Sequence, residues 1–179
     1  MIQTEIFETV DVKFSRKWEM PNSNTFDIRC IKEFIYRHMG DRLNSVDPFA
    51  NKNRIANVTN DIDSQYGCDY NLDAKDFLET LPSNSVDFLL FDPPYSPRQV
   101  SECYKNVGRT VNMQTTQASF WGDLKKEVAR VVQKNGIVLS FGWNSGGIGK
   151  KSGFEIIEIM MVAHGGWHND TICTAEIKR

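Results

Sequence analysis

The segment VDFLLFD, residues 86–92, constrains the fold more than any other stretch, because it runs apolar with almost no alternation and then stops at a carboxylate. A strand with one solvated face alternates apolar and polar side chains, whereas a strand covered on both faces does not. The segment therefore reads as a centre strand of a parallel sheet with helices on both sides. The adjoining turn is equally restrictive, since Asp92 leads directly into Pro93, Pro94 and Tyr95. Each proline fixes its own φ and restricts the residue before it, so the turn cannot bend freely. A stiff turn that opens on an acid is suited to holding that acid against a ligand.

The rest of the chain alternates helical and strand-like patterns around this segment. Apolar residues at 28, 31, 34, 35 and 39 have helical spacing over 26–40, with Gly40 as the stop. Short strands are expected over 45–50 and 57–63, and a helical piece over 74–82. Residues 117–134 form a second amphipathic helix, with Phe120, Leu124, Val128 and Val131 on one stripe and Asn135 and Gly136 ending it. A strand over 136–144, a glycine-rich loop, and two strand-like runs over 154–164 and 169–179 joined by a Gly-Gly turn complete the pattern. This order predicts one α/β domain over residues 1–179 with a mostly parallel sheet and a closing antiparallel hairpin. Residues 1–25 carry no clear pattern and read as an N-terminal extension. In such sheets a ligand crevice lies beyond the carboxyl ends of the strands, where the strand order reverses. The acid-rich or proline-rich turns after residues 46, 60 and 91 are expected to meet there.

Composition narrows the classes. No apolar run approaches the roughly eighteen residues of a membrane helix. The four cysteines, Cys30, Cys68, Cys103 and Cys173, lack metal-ligand spacing and read as reduced thiols of a cytoplasmic protein. A net charge of −2 argues against a broad basic face that coats nucleic acid. It leaves room for a local rim: Arg98, Lys105 and Arg109 come after the stiff turn, and Lys150 and Lys151 after the glycine-rich loop. His164, His168 and Asp170 cluster near the last turn, but read as polar caps and not as a metal site. Trp143, just past a strand end, can cover the core or stack on a planar ligand.

The run Phe91-Asp92-Pro93-Pro94-Tyr95 resembles the catalytic motif of the S-adenosylmethionine-dependent amino-methyltransferases that modify adenine N6 or cytosine N4 in DNA. The resemblance covers most of residues 24–179 and implies a Rossmann-like three-layer sandwich with a seven-stranded sheet, in a compact, phage-like form within a prokaryotic or phage-infected cell. The chemistry suits these residue types. An exocyclic amine is a poor nucleophile because its lone pair is delocalised into the ring, and two acceptors aimed at its hydrogens help to localise it. Asp92 supplies a carboxylate oxygen and Pro93 a backbone carbonyl, Pro94 holds that carbonyl in place, and Tyr95 offers a stacking face. A base inside a duplex cannot reach such a site, so the target must be flipped out or already single-stranded.

The resemblance also implies cofactor contacts. Asp47, Pro48, Phe49 and Ala50 stand where the family has its first cofactor turn, although its glycines are replaced here by Asn51 and Asn53. Asparagine is the residue that best tolerates left-handed backbone after glycine. Asp61, with Asp63 as the fallback, stands where an acid accepts the ribose hydroxyls. Asp76 and Phe77 stand beside the adenine, and Phe26, Asp27 and Ile28 over the methionine end, with Asp92 also facing the cofactor. Tyr95, Arg98, Arg109, Trp143 and Lys150 are the candidate substrate contacts, with no metal. The family's separate target-recognition region is absent, so recognition would fall to loops 96–116 and 144–153, to a homodimer or to a partner subunit, giving low or short sequence specificity. Adenine N6 in DNA is the reading preferred. Cytosine N4, RNA adenine, a non-catalytic subunit that binds the cofactor, and a cofactor-degrading enzyme are its rivals.

Overall fold

The computed structural model describes residues 11–108 and 118–179, with the side chains of 118–120 excepted. Seven strands form one sheet: β1 (Lys13–Trp18), β2 (Ser45–Asp47), β3 (Val58–Thr59), β4 (Val86–Phe91), β5 (Val132–Gly142), β6 (Phe154–Ala163) and β7 (Thr171–Lys178). Their order across the sheet is β1-β6-β7-β5-β4-β2-β3. All neighbours run parallel except β7, which is antiparallel to both β5 and β6. The helices are α1 (Arg29–Met39), α2 (Ala74–Thr80), α3 (Pro97–Asn106) and α4 (Ala118–Val131). This is a Rossmann-like architecture, a mostly parallel sheet with one antiparallel strand and helices on its faces.

β4 carries the fold as its sequence predicts. Phe88 and Leu90 bury into one apolar layer with Phe26, Ile31, Phe34 and Ile35, from α1 and the turn before it. Leu89 and Phe91 bury into the opposite layer with Phe77 and Leu78 of α2 and Leu124 and Val128 of α4. Each such side chain contributes roughly 1.5–3 kcal/mol by leaving water. Cationic side chains then occupy the open carbonyls at helix ends, where the macrodipole favours positive charge. Arg42 donates to His38 and Met39 of α1, Arg130 to Leu78 and Leu81 around the end of α2, and Lys178 to Ala129 and Val132 at the end of α4.

Several elements differ from the sequence expectation. The closing hairpin does not form the sheet edge, because the unassigned N-terminal stretch supplies β1 alongside β6. Helix α4 ends at Val131, and the chain enters β5 at once through an irregular stretch in which Asn135 has φ 63°. Gly136 is required there, since a Cβ would lie 2.7 Å from Val132 Cγ1 and 2.8 Å from the Gln133 carbonyl. The strands expected over 45–50 and 57–63 shorten to 45–47 and 58–59, because the residues after them turn to form the site. The span expected as a loop from residue 96 is helix α3 as far as Asn106, started by the Ser96 cap and Pro97 in its first turn.

The glycine-rich connection from β5 to β6 is held from below. Glu176 of β7, fully buried, accepts the backbone N–H groups of Ile148 at 2.6 Å and Gly149 at 2.9 Å. Gly147 packs directly against that carboxylate.

Candidate active site

The turns after β2, β3 and β4 converge on a cavity of about 420 Å³ at the carboxyl edge, where the chain order reverses between β2 and β4. The stiff turn forms one wall: Asp92, Pro93, Pro94 and Tyr95 all line it. Opposite stand Pro48, Phe49, Asn51, Asp61 and Asp63, with Asp73 and Ala74 at the start of α2. Helix α3 adds Gln99, Val100 and Cys103, and the approach to α1 adds Ser23, Asn24 and Thr25.

The Asp92 turn is braced on three sides. Tyr95 donates its hydroxyl to Asp92 Oδ1, and its backbone N–H to Gln99 Oε1 at 2.7 Å. Trp121 Nε1 donates to the Pro94 carbonyl at 3.3 Å, so α4 holds the turn from outside. The Pro93 carbonyl receives no hydrogen bond among the described residues. Burial pushes the Asp92 carboxyl up to about 6, opposed by hydrogen bonds from Tyr95 and Thr25. The same burial and the neighbouring carboxylate push the Tyr95 phenol well above its usual value, so it remains a donor. A carboxyl held near 6 is mostly ionised at neutral pH and able to accept.

The cofactor-side turn takes the conformation that its sequence has to allow. Asn51 occupies the left-handed region with φ 50°, where glycine would be the easy choice, and Asn53 does not. Asp61 fixes that turn by accepting the N–H of Asn51 and of Asp63, each at 2.9 Å. Asn60 ties the strand ends together through Pro48 and Leu72. Two buried acceptors at this turn have no partner among the described residues: Asn51 Oδ1, on a residue of the cavity wall, and Asp47 Oδ2, on a buried residue outside it. Burial pushes Asp47 up to about 8, and the charges of Asp92 and Asp61 add to the rise.

Five carboxylates, Asp61, Asp63, Asp73, Asp92 and Glu102, line the cavity, and no lysine, arginine or histidine does among the described residues. This electrostatic surface favours a cationic, hydroxyl-bearing ligand and disfavours phosphate. S-adenosylmethionine has matching groups: a sulfonium that carries positive charge, an ammonium that carries charge and donates, and ribose hydroxyls that donate. The volume lies within the range of small-molecule sites, roughly 300–1,000 Å³.

Not every residue expected at the site reaches it. Phe26 and Ile28 are core side chains, Phe26 packing on Phe141 at 4.8 Å between ring centroids, while Asp27 is exposed and bonded to Asn24. Ser23, Asn24 and Thr25 of the same segment take the place on the wall. Asp47 and Ala50 are buried and lie outside the wall. Phe77 is core and Asp76 is exposed; the acid at the cavity is Asp73, one turn earlier, which caps α2 and accepts the Tyr104 hydroxyl. Its position before a helical run is an N-cap signature that could have been read from the sequence.

Among the substrate candidates, Trp143 lies beside Tyr95 in an edge-on contact at 5.7 Å, outside the cavity wall. Arg98 faces solvent and pairs with Glu102, and Lys150 is exposed on the short turn before β6. Arg109 lies outside the described residues. His164 is spent on structure, bonding the Glu19 carbonyl and the Thr171 hydroxyl.

Fold and site together define a Rossmann-like methyltransferase fold with a cavity at its switch point. Among solved structures, the chain is similar to TrmN from Thermus thermophilus, with 14% identity over 85% of this chain and 49% of that one, at a TM-score of 0.56. It thus spans about half the length of that protein. It is also similar to HI0767 from Haemophilus influenzae, described as a presumptive methylase, with 10% identity over 84% of this chain and 98% of that one, at a TM-score of 0.52. No protein-family model matches the sequence. None of the curated proteins matches it either.

Proposed function

We propose that the protein transfers a methyl group from S-adenosylmethionine to the N6 amino group of adenine in DNA, on a flipped or single-stranded base. The observation that supports this reading is that Asp92 and Pro93 stand on one cavity wall, the Pro93 carbonyl without a hydrogen bond among the described residues, in a lining rich in carboxylates. The cofactor would lie along Phe49, Asn51 and Asp61, and it supplies an activated methyl group.

Asp92 and Pro93 accept the two amine hydrogens, which localises the nitrogen lone pair for attack in line with the methyl. As positive charge develops on the nitrogen, the carboxylate stabilises it from a fixed position on the cavity wall. The amine proton is then lost to Asp92 or to solvent. The hydroxyl of Tyr95 holds Asp92 in the free protein and must yield one lone pair to the target. Trp121 keeps the turn from recoiling. The formed left-handed turn at Asn51 supports a working cofactor site over a scaffold that lost its glycines. Target recognition would come from α3, the 144–153 loop, a second copy or a partner subunit.

The test is incubation with methyl-labelled S-adenosylmethionine and mixed duplex and single-stranded DNA and RNA, then digestion to nucleosides. Label in N6-methyldeoxyadenosine is the expected result. Label in N4-methylcytosine or in methylated RNA adenosine would move the substrate, and cofactor binding without product would make the chain a non-catalytic subunit.

A further inference from the structure

We infer that the carboxyl edge of the sheet from Tyr95 to β1 is a track for single-stranded nucleic acid. Tyr95 ends the β4 turn, and Trp143 comes just after β5 and touches it edge-on. Trp167 stands on the β6–β7 turn with its side chain fully exposed at 104%, and Trp18 ends β1 with 64% exposure. The Trp18 indole rests on the same turn, its Nε1 3.4 Å from where a Cβ on Gly165 would stand. Three of the protein's four tryptophans are thus exposed on one edge, and it is their clustering, not the exposure of any one indole, that marks a surface suited to stacking.

The outer end of this edge is cationic. β1 reads Lys-Phe-Ser-Arg-Lys-Trp; Lys13, at its far end, pairs with Glu158 at 3.8 Å, which leaves Arg16 and Lys17 as the cations nearest this edge, in a chain whose net charge is −2. Its register against β6 puts Phe14, Arg16 and Trp18 beside Ile159, Met161 and Ala163, on the sheet face away from α1. Phe14 is 62% exposed, and Arg16 and Lys17 make no ion pair among the described residues. Alternating aromatic and cationic side chains on an exposed strand are the elements of single-strand binding, where rings take bases and cations take the backbone.

The two ends complement each other. The cavity is lined with acids and repels phosphate, so a bound strand must run outside it and insert only its target base. Four strand spacings separate β4 from β1, roughly 19 Å at about 4.8 Å each, enough for about five stacked nucleotides. A duplex cannot present its bases to such rings. The inference rests on the methyltransferase reading only for the end at which the target base enters.

The experiment measures anisotropy of fluorescein-labelled oligodeoxythymidylate and of a duplex of equal length, with wild-type protein and with Trp18→Ala, Trp167→Ala and Arg16→Ser/Lys17→Ser variants. Calorimetry with S-adenosylmethionine and sedimentation run on the same samples. Each tryptophan variant should weaken single-strand binding five- to a hundred-fold and leave cofactor affinity unchanged. The double cation variant should lower the slope of log affinity against log salt by about 1.4. Unchanged single-strand affinity in both tryptophan variants, or equal affinity for the duplex, would overturn the inference. So would a wild-type dimer that Trp18→Ala splits without loss of oligonucleotide binding, which would make the edge an interface between copies. A wild type that binds the oligonucleotide through these tryptophans but binds no cofactor would keep this inference and remove the proposed activity.

Discussion

Replacing Asp47 by asparagine removes a carboxyl that the fold buries without a partner for one of its oxygens. Its carboxyl is pushed up to about 8 from an ordinary 3.8, chiefly by burial and further by Asp92 and Asp61. A group whose pKa is raised on folding supports stability below its unfolded value, and that support is lost as the pH rises through the folded one. Between about pH 4 and 8 the unfolded chain has released this proton and the folded chain has kept it. The wild type should therefore lose roughly 1.4 kcal/mol per pH unit from this group, or about 3 kcal/mol between pH 5 and pH 7. Asparagine keeps the Oδ1 acceptor that Phe49 N–H uses at 3.0 Å and cannot titrate. Urea denaturation of both proteins from pH 5 to pH 9 should show the variant gaining stability relative to the wild type up to pH 8, then levelling. A difference that stays constant with pH would mean that Asp47 is ionised in the fold, and the electrostatic account of the cavity would fail.

Three further outcomes are expected at the site and beside it. Tyr95→Phe removes a hydrogen bond that holds the Asp92 pKa down, so the acid limb of kcat/KM should move to higher pH; an unmoved limb would separate the two residues. Asp61→Asn should weaken S-adenosylmethionine binding about ten- to a hundred-fold by calorimetry, the loss of a charge-assisted hydrogen bond to a hydroxyl; equal affinity would place the ribose elsewhere. Gly147→Ala should cost about 2–4 kcal/mol in urea denaturation, because φ is 46° and a Cβ would fall 2.2 Å from Glu176 Oε2; a neutral effect would mean that the loop is not anchored there.

The parts of the fold that were legible in the sequence are those dictated by local pattern. The unalternating 86–91 run announced a strand buried on both faces, and the Asp-Pro-Pro-Tyr turn announced a rigid acid at its end. Asn51 was legible as a stand-in for glycine because few other side chains accept its backbone angle. β1 was not legible: an edge strand exposed on both faces buries almost nothing, so its sequence carries no period for burial to impose. Of the two acids at the start of α2, Asp73 lines the cavity and the expected Asp76 is exposed, because Asp73 is the cap that starts the helix and Asp76 lies one turn on. Phe26 and Ile28 illustrate the same limit, since a segment can pass over a cavity while its apolar residues turn inward and its small polar ones outward.

The most direct test is single-turnover methyl transfer from S-adenosylmethionine to an adenine-containing oligonucleotide by wild-type protein and by Asp92→Ala, with cofactor affinity measured on the same samples. Asp92 lies on the cavity wall, and in the proposed reaction it holds the amine, so the variant should bind cofactor nearly as well as the wild type and transfer no measurable methyl group. Ordinary transfer by the variant would contradict the role given to Asp92, and with it the claim that paired oxygen acceptors beside a cation-favouring cavity do the chemistry.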